Sequence, residues 1–388
     1  MSELTSPQPA RVRRLDGIDV LRGVASVMVV VFHAGMYWQS AMWTRWTPLL
    51  TAAEGSPVGW FLLLLARLGF LGVSLFLVLS GFCLHYPNAV RQRPVGSFRK
   101  FMIARGLRIL PPYLVSMFVL WAIVSRGGVY ARASFFPIQS WDVAVHALLL
   151  HNLHGDTIWS INGVYWSLAL EWQLYWVFPL IALVIRRAGL GLTALFAGLL
   201  SVSFPLLVEH IVGADKLVLG WWGVVYESLP AHLFELTSGM LAAELLAREK
   251  LPPRWLLAVL SCLWLPVGWM VNEAQWFSTP FDRIVYGVSF GSLALLVGAR
   301  DMGRSLPARA AMLPGVVSYS LYLVHQPILL AFRTNVVEQG WSAPQVWGFT
   351  VFVVVPALVA LAWSFYELVE RPFMRGNALR DWIDSKLT

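Results

Sequence analysis

Long apolar runs dominate this sequence of 388 residues. Ten of them are apolar over about 20 residues each, the length at which an α-helix crosses the hydrocarbon core of a bilayer. Lipid offers the backbone no hydrogen-bond partners, which favours helices because their backbone groups bond within the segment. The sequence therefore predicts an all-α membrane protein with about ten transmembrane helices in one bundle. The spans are expected near 18–38, 57–84, 108–125, 164–185, 189–212, 228–247, 254–272, 283–299, 312–332 and 345–368.

The composition excludes a soluble fold. Hydrophobic residues make up 58% of the chain and charged residues 13%, whereas a soluble domain is about a quarter charged. Two cysteines are too few for a disulfide-stapled secreted domain or a cysteine-rich zinc module. No metal is expected.

The basic residues predict the orientation of the chain. If both termini are cytoplasmic, 21 of the 29 Lys and Arg residues fall in cytoplasmic segments and six fall outside, as the positive-inside rule requires. The net charge of +8 therefore mostly reports orientation, and no nucleic-acid partner is expected. The first span is too long for a signal peptide and no cleavage site follows it. We expect a cytoplasmic segment 1–17, a membrane domain 18–373 and a cytoplasmic tail 374–388.

Polar residues on one face of the first span are the sharpest functional signal. Arg22 and His33 are eleven residues apart, nearly three helical turns, so both project from one face and His33 lies about 16 Å deeper. Ser26 shares this stripe and Asp19 lies close to it. Ionisable groups within a membrane are costly, about 2.5–3.5 kcal/mol each, and so indicate function. A single buried histidine would otherwise be a packing residue.

Two further spans carry polar stripes at helical spacing. The alternative to a functional stripe is a hydrogen-bonded seam between helices. A carboxylate inside a span also needs a partner, for which Arg67 or a histidine is available. A weaker stripe, His232 with Glu235, favours a structural role as much as a functional one. The two stronger stripes are Ser167, Glu171 and Tyr175, and Ser318, Tyr322 and His325.

Arg105 and Arg108 form an i,i+3 pair at the entrance of the third predicted span, and Pro111 and Pro112 follow near its start. Guanidinium groups suit phosphate recognition, although positive-inside anchoring would also account for the pair. A predicted outer segment carries three histidines and an aspartate whose spacing fits no standard zinc site. These residues could line an acceptor mouth instead: His146, His151, His154 and Asp156.

Taken together, these segments resemble acyltransferase family three, the multi-pass membrane O-acyltransferases that modify bacterial glycans. The resemblance covers nearly the whole chain, and six loose motifs occur in family order. Departures are the Ile18-Asp19 pair and Trp172-Gln173. We see none of the extra C-terminal hydrolase-like domain of some members, so acceptor delivery is expected to involve the membrane domain or a partner. The motifs are Leu15-Asp-Gly-Ile-Asp-Val-Leu-Arg22 with His33, Gly72-Val-Ser-Leu-Phe-Leu-Val-Leu-Ser-Gly-Phe82, Arg105-Gly-Leu-Arg108, Trp166-Ser-Leu-Ala-Leu-Glu171, Ser318-Tyr-Ser-Leu-Tyr-Leu-Val-His325 and Glu370-Arg-Pro-Phe373.

The resemblance implies a cytoplasmic acyl-CoA donor, usually acetyl-CoA. It also implies an acceptor hydroxyl on an extracytoplasmic glycan or glycolipid, such as O-antigen or exopolysaccharide. The expected location is the bacterial inner membrane, with lipid around the bundle. The implied catalytic residues are His33 as general base with Arg22, Asp19 and Glu171. The implied donor-binding residues are Arg105, Arg108 and Tyr113, and the implied acceptor-binding residues are Ser167, Tyr322 and His325.

Several alternatives stay open at this stage. The same features fit a transporter or flippase for a glycan or lipid-linked sugar, although no internal repeat is evident. A membrane scaffold would hardly need the Arg22–His33 stripe. Among enzymes, the acceptor could be a secondary metabolite or a lipid. Transfer could be direct or could pass through a nucleophile such as Ser80, Ser167 or a tyrosine. Acyl length and oligomeric state are also open.

Overall fold

The fold is known from a computed structural model. It describes residues 15–36, 68–92, 96–127, 138–213, 216–217, 219–274, 279–298, 300, 313–341, 345, 348–374 and 385. The suggested pairing of Arg67 with Glu171, and most of both terminal segments, lie outside these residues.

The described residues form helices and no strands, which confirms the all-α prediction. Thirteen α-helices are labelled here in chain order. They are α1 (Asp16–Met36), α2 (Leu71–Arg91), α3 (Phe98–Val124), α4 (Ser140–Ala147), α5 (Trp166–Ala188), α6 (Leu190–Val212), α7 (Leu219–Tyr226), α8 (Leu229–Ala247), α9 (Arg254–Leu260), α10 (Trp264–Ala274), α11 (Asp282–Gly298), α12 (Ser318–Glu338) and α13 (Val355–Phe365). Short 3-10 turns cover His151–Leu153 and Arg371–Phe373, and π-helical segments, Thr350–Val354 and Tyr366–Glu370, flank α13.

Six helices in the described part of the chain are long and apolar enough to cross a bilayer, and the chain is a multi-pass membrane protein. The count of about ten spans and the cytoplasmic placement of both termini stay predictions. The six helical segments are Asp16–Ala34, Leu71–Arg91, Phe98–Val124, Trp166–Ala188, Leu190–Val212 and Thr350–Phe373.

Two boundary predictions are wrong. Pro111 and Pro112 lie inside α3, which begins at Phe98, ten residues before the predicted span. Hydropathy locates the apolar part of a helix, whereas helical hydrogen bonding continues through the basic turns that precede it. Membrane bundles also tolerate interior prolines because neighbouring groups satisfy the freed carbonyls. The stretch predicted as one span over 254–272 is two helices, α9 and α10, separated by a turn at 261–263.

Helix α8 packs against α2, α11 and α6, while α1 packs against α2, α12 and α11. Two glycines let α2 and α8 meet backbone to backbone. A Cβ atom at Gly81 would lie 2.0 Å from the carbonyl oxygen of Leu236, and one at Gly239 would lie 1.9 Å from that of Val78. Small residues serve this purpose at many membrane helix interfaces. The close approach fixes the position of α2, which carries one wall of the site described next.

Candidate active site

A cavity opens between α1, α2, α3, α5 and α12. It holds about 920 Å³ of empty space, including its open mouth. Six of the ten predicted site residues line it, together with Ser80, Cys83 and Tyr175 and a largely apolar wall. The six are Arg22, Arg105, Arg108, Ser167, Glu171 and Tyr322.

The two ends of this cavity differ in chemistry. Three arginines, Arg22, Arg105 and Arg108, interact electrostatically with Cys83. Two turns earlier on the same face of α2, the ring of Phe76 lies 6.5 Å from that of Tyr322. Seven residues of helix correspond to about 10 Å. The cavity therefore has a cationic end beside Cys83 and a hydroxyl-bearing end beside Phe76.

Arg105 packs against two neighbouring aromatic rings at the cationic end. Its guanidinium carbon lies 5.6 Å from the ring centre of Phe101 and 5.7 Å from that of Tyr175. The Tyr175 hydroxyl donates a hydrogen bond to Glu171, whose carboxylate interacts electrostatically with both Arg105 and Arg108. The Nε atom of Arg105 is buried and has no hydrogen-bond partner among the described residues. The described residues therefore leave one guanidinium donor of Arg105 unsatisfied.

Helices α1 and α12 run parallel. Two contacts show this, since they join the two helices in the same order along each. Near the cationic end, Arg22 donates to the Ser318 hydroxyl at 3.4 Å. His33 lies eleven residues after Arg22 on α1, and His325 lies seven residues after Ser318 on α12. The rings of these two histidines are in contact, with 5.0 Å between ring centres. Asp19 lies one turn before Arg22 and is half-buried. The polar stripes of α1 and α12 therefore face each other.

The His33–His325 contact defines the tautomer of both rings. Nδ1 of His325 lies 2.8 Å from the carbonyl oxygen of Tyr322 and 3.1 Å from that of Leu321, so this nitrogen carries the proton. Nε2 of His325 then accepts a hydrogen bond from Nδ1 of His33 at 3.2 Å. The same His33 nitrogen lies 2.8 Å from the carbonyl oxygen of Val29. Nε2 of His33 consequently keeps its lone pair, as a general base requires.

Two hydroxyl-bearing residues, Ser167 and Tyr322, line the cavity on the side of this histidine pair. Tyr322 donates to the carbonyl oxygen of Val164 at 2.9 Å and is hydrogen-bonded to Ser167. The Tyr322 ring also lies 5.6 Å from that of His325. Side chains in contact therefore lead from the cavity wall, through the rings of Tyr322 and His325, to His33, and neither histidine is among the residues that line the cavity.

Tyr113, predicted to bind the donor, lies elsewhere. It is fully buried, packs edge-on against Tyr165 with 5.0 Å between ring centres, and donates to the carbonyl oxygen of His146 at 2.9 Å. It is not among the cavity-lining residues. Its contacts join α3 to the segment 138–165.

Two of the three histidines in that segment stack against each other, and the third lies apart from them. His146 and His151 are buried and stacked, with 3.9 Å between ring centres. The two ring nitrogens of His146 lie 2.8 and 3.0 Å from the carbonyl oxygens of Asp142 and Ser160, which favour the charged ring. Burial outweighs them and lowers the pKa of His146 to about 4, and it also lowers that of His151. His154 is partly exposed, and no group of three potential metal ligands occurs within the described ranges.

The predicted stripe of His232 and Glu235 belongs to a second buried network. His232 is hydrogen-bonded to Glu235 through Nδ1 and lies 2.7 Å from Glu227 through Nε2. Arg283 donates to Glu227 at 3.2 Å. Two carboxylates and two cationic side chains thus compensate one another, which accords with the structural interpretation.

Sequence reasoning missed two features of the site. Cys83 lines the cavity one turn beyond Ser80, so its i,i+3 spacing was the available signal. Glu370, named above only as part of a family motif, is buried, accepts a hydrogen bond from Ser320 at 2.6 Å and interacts electrostatically with Arg22 and Arg108. Its partners are distant in sequence, and no spacing rule identifies them.

Comparison with known proteins finds acyltransferases along most of the chain. The family model described as an acyltransferase domain matches residues 15–367. YrhL of Bacillus subtilis, named as a peptidoglycan O-acetyltransferase, is 26% identical over 93% of this chain and 55% of its own length. The O-acetyltransferase OatA of Staphylococcus aureus is 23% identical over 94% of this chain and 58% of its own. BcsY of Komagataeibacter xylinus, named as a membrane-bound transacylase, is 26% identical over 92% and 82%.

The chain thus spans little more than half the length of YrhL and OatA. No solved structure matches it significantly.

Proposed function

This chain belongs to the acyltransferase family, and on that premise we propose that it transfers an acyl group, in the first instance acetyl, from acyl-CoA to a hydroxyl of an extracytoplasmic glycan or glycolipid. The observation that carries the proposal is the cavity, which has three arginines at one end and, at the other, Tyr322, whose ring lies against His325 of the His33–His325 pair. The names of OatA and YrhL, both O-acetyltransferases, support this reaction class.

The cationic end suits the phosphate groups of CoA. The side chains lining the cavity include three arginines and one carboxylate, Glu171, and surplus charge in an apolar setting calls for an anionic partner. Arg105 would present its unpartnered Nε to a phosphate, while the rings of Phe101 and Tyr175 keep the guanidinium fork oriented. Arg108 would contribute a second fork. In this proposal Tyr113 only supports α3.

The acyl transfer itself takes place at the hydroxyl-bearing end of the cavity. The bound thioester supplies the acyl group and its thiol is the leaving group. Nε2 of His33 takes the proton from the acceptor hydroxyl, and the resulting imidazolium is stabilised because His325 and the Val29 carbonyl accept its Nδ1 proton. The proton leaves with the thiol, so the transfer consumes and releases none overall. Ser167 and Tyr322 orient the acceptor.

The remaining predicted residues position the cationic end. Arg22 bridges α1 to Ser318 of α12, and Asp19, one turn away, balances part of its charge. Glu171 holds Tyr175 through a hydrogen bond and moderates the charge of the arginine pair. These contacts preserve the spacing between the phosphate-binding end and the histidine pair.

The proposal extends to the placement of the chain. We place it in the bacterial inner membrane with about ten spans and both termini cytoplasmic, as the 21 to 6 distribution of basic residues supports. The cationic end then faces the cytoplasm, where acyl-CoA is found. Reporter fusions at the two ends, read by cytoplasmic and extracytoplasmic enzyme activity, test this placement.

Reconstituted protein tests the reaction itself. With labelled acetyl-CoA and an envelope glycan, we expect free thiol and acetylated glycan in equal amounts, and neither product from His33→Ala. Matched elution of both proteins in size-exclusion chromatography controls for folding. Glycan translocation without thioester cleavage would instead indicate a carrier and contradict the proposal. Mass spectrometry of the product identifies the acceptor hydroxyl.

A further inference from the structure

Cys83 is a thiol at the cationic end of the cavity. It lies one turn beyond Ser80 on the cavity-lining face of α2, is exposed and forms no disulfide. Arg22, Arg105 and Arg108 line the same cavity and, together with Asp19, interact with the thiol electrostatically. The wall around this thiol therefore carries surplus positive charge, which attracts anionic reagents.

Arg105 gives independent evidence that an anion binds beside this thiol. Its buried Nε lacks a hydrogen-bond partner in the described part of the chain, although burying such a donor unpaired costs about 1–3 kcal/mol. A negatively charged ligand would satisfy the nitrogen. Any anion drawn to Arg105 also comes close to Cys83, because the same guanidinium groups interact with both.

We propose that Cys83 is a modification site for anionic low-molecular-mass disulfides, of which CoA disulfide is the type, and that the mixed disulfide blocks donor binding. The proposal rests on the proposed function in naming acyl-CoA as the molecule that is excluded. An adduct on Cys83 would occupy the space between the arginines that the phosphates of the donor require.

The exchange is chemically balanced. The Cys83 sulfur attacks one sulfur of the disulfide, the old S–S bond breaks, and a new one forms between Cys83 and that half of the reagent. The other half leaves as a thiolate and takes up the proton that Cys83 gives up. The arginines attract the anionic reagent and so raise its concentration beside the thiol. Excess thiol reverses the exchange.

The position of Cys83 fits this role better than that of an acyl carrier. The hydroxyl-bearing end, where Phe76 meets Tyr322, is two helical turns from Cys83, or about 10 Å. A donor whose phosphates bind the arginines would carry its thioester towards that far end. Cys83 would then lie beside the phosphates rather than beside the acyl group.

The only other cysteine in the sequence, Cys262, is a built-in control. It is exposed and forms no disulfide, and it lies in the turn between α9 and α10, away from the cavity wall. Because both thiols are in the same molecule, a difference in protein concentration or detergent affects both alike and cancels in the ratio of their reaction rates.

The test compares two methanethiosulfonates of similar size on purified full-length protein, one bearing a sulfonate and the other a trimethylammonium group. Peptide mass spectrometry follows each cysteine separately. At Cys83 we expect the anionic reagent to react at least about tenfold faster than the cationic one, relative to the ratio at Cys262. Added salt should reduce this preference, as should Arg105→Gln. Equal charge ratios at the two cysteines would overturn the proposal.

A second measurement concerns the block itself. CoA disulfide should abolish binding of labelled acyl-CoA by the wild type, and excess dithiothreitol should restore it, whereas the binding shown by Cys83→Ser should not change on treatment. Unaltered binding by modified wild-type protein would refute the blocking role. If acyl-CoA does not bind even before treatment, the proposed function fails, while the charge preference of Cys83 is still measured.

Discussion

Replacing His325 with leucine separates the two roles of the histidine pair. His325 is fully buried, and its Nε2 accepts the Nδ1 proton of His33. Leucine removes this acceptor and keeps an apolar side chain in an apolar position. The proton on His33 still has a second acceptor, the Val29 carbonyl at 2.8 Å. We therefore expect His33 to keep its tautomer and lose only one hydrogen bond.

The magnitude follows from that single bond. In the transition state His33 carries positive charge, and a hydrogen bond to a charged group is worth about 1.5–3 kcal/mol. Each 1.36 kcal/mol changes the rate tenfold, so kcat should fall about 10- to 150-fold. The acyl-CoA dissociation constant should stay within about twofold, because His325 is not among the residues that line the cavity. His33→Ala should abolish turnover.

The assay measures thiol release and acyl-CoA binding for the wild type, His325→Leu, His33→Ala and the double variant. Adding His325→Leu to His33→Ala should cause no further loss, since the bond needs both rings. A kcat for His325→Leu within twofold of the wild type would refute the role of His325. If a weaker affinity for acyl-CoA accounts for the whole loss of activity in His325→Leu, then His325 acts in donor binding rather than in catalysis.

Three further predictions concern donor affinity, packing and pH. Arg105→Gln should raise the acyl-CoA dissociation constant about 10- to 150-fold, since a charge-assisted hydrogen bond is worth about 1.5–3 kcal/mol, as measured by equilibrium binding. Gly81→Ala should lower the free energy of unfolding by about 1–3 kcal/mol or more, seen as a lower melting temperature, because its Cβ would lie 2.0 Å from a backbone oxygen. The pKa of His146 is lowered to about 4, so the stability contributed by its neutral form should be complete above pH 6.5. It should fall by about 3 kcal/mol as the pH drops to 4, measured as the melting temperature across that range.

Matched controls make these outcomes specific. Arg248 is an exposed arginine outside the cavity, so Arg248→Gln should not alter donor affinity, and an equal effect of both substitutions would indicate general charge attraction. A Cβ atom at Gly96 would meet nothing within 4 Å, so Gly96→Ala should melt like the wild type. Replacing His146 with phenylalanine should flatten the pH dependence, and an unchanged slope would assign it to other groups.

Helical periodicity predicted which polar residues share a face. Arg22 and His33, eleven residues apart, both contact α12, as their common stripe led us to expect. Likewise Ser167 and Glu171 line one cavity wall. These relations are local, because 3.6 residues per turn fix them within a single helix.

The partners of these stripes could not be predicted, since they depend on how helices pack. Ser318 and His325 contact α1 only because α1 and α12 are parallel and are aligned along their axes so that Arg22 lies opposite Ser318 and His33 opposite His325. The resemblance likewise implied that Tyr113, which follows the arginine pair in sequence, binds the donor, although its ring packs against Tyr165. In lipid, apolar faces are nearly interchangeable, so small residues and polar contacts decide which helices associate.

The cationic end of the cavity interacts with side chains from distant segments because its charges must be balanced. An apolar bundle cannot hold Arg22 and Arg108 without compensating charge, and both interact with the buried Glu370 near the end of the last helix. A phosphate-bearing donor would compete with this carboxylate and with Glu171 for the same guanidinium groups. Without the donor these carboxylates balance the arginines, and the donor can replace them, so removing Glu370 should lower the stability of the protein more in the absence of acyl-CoA than in its presence.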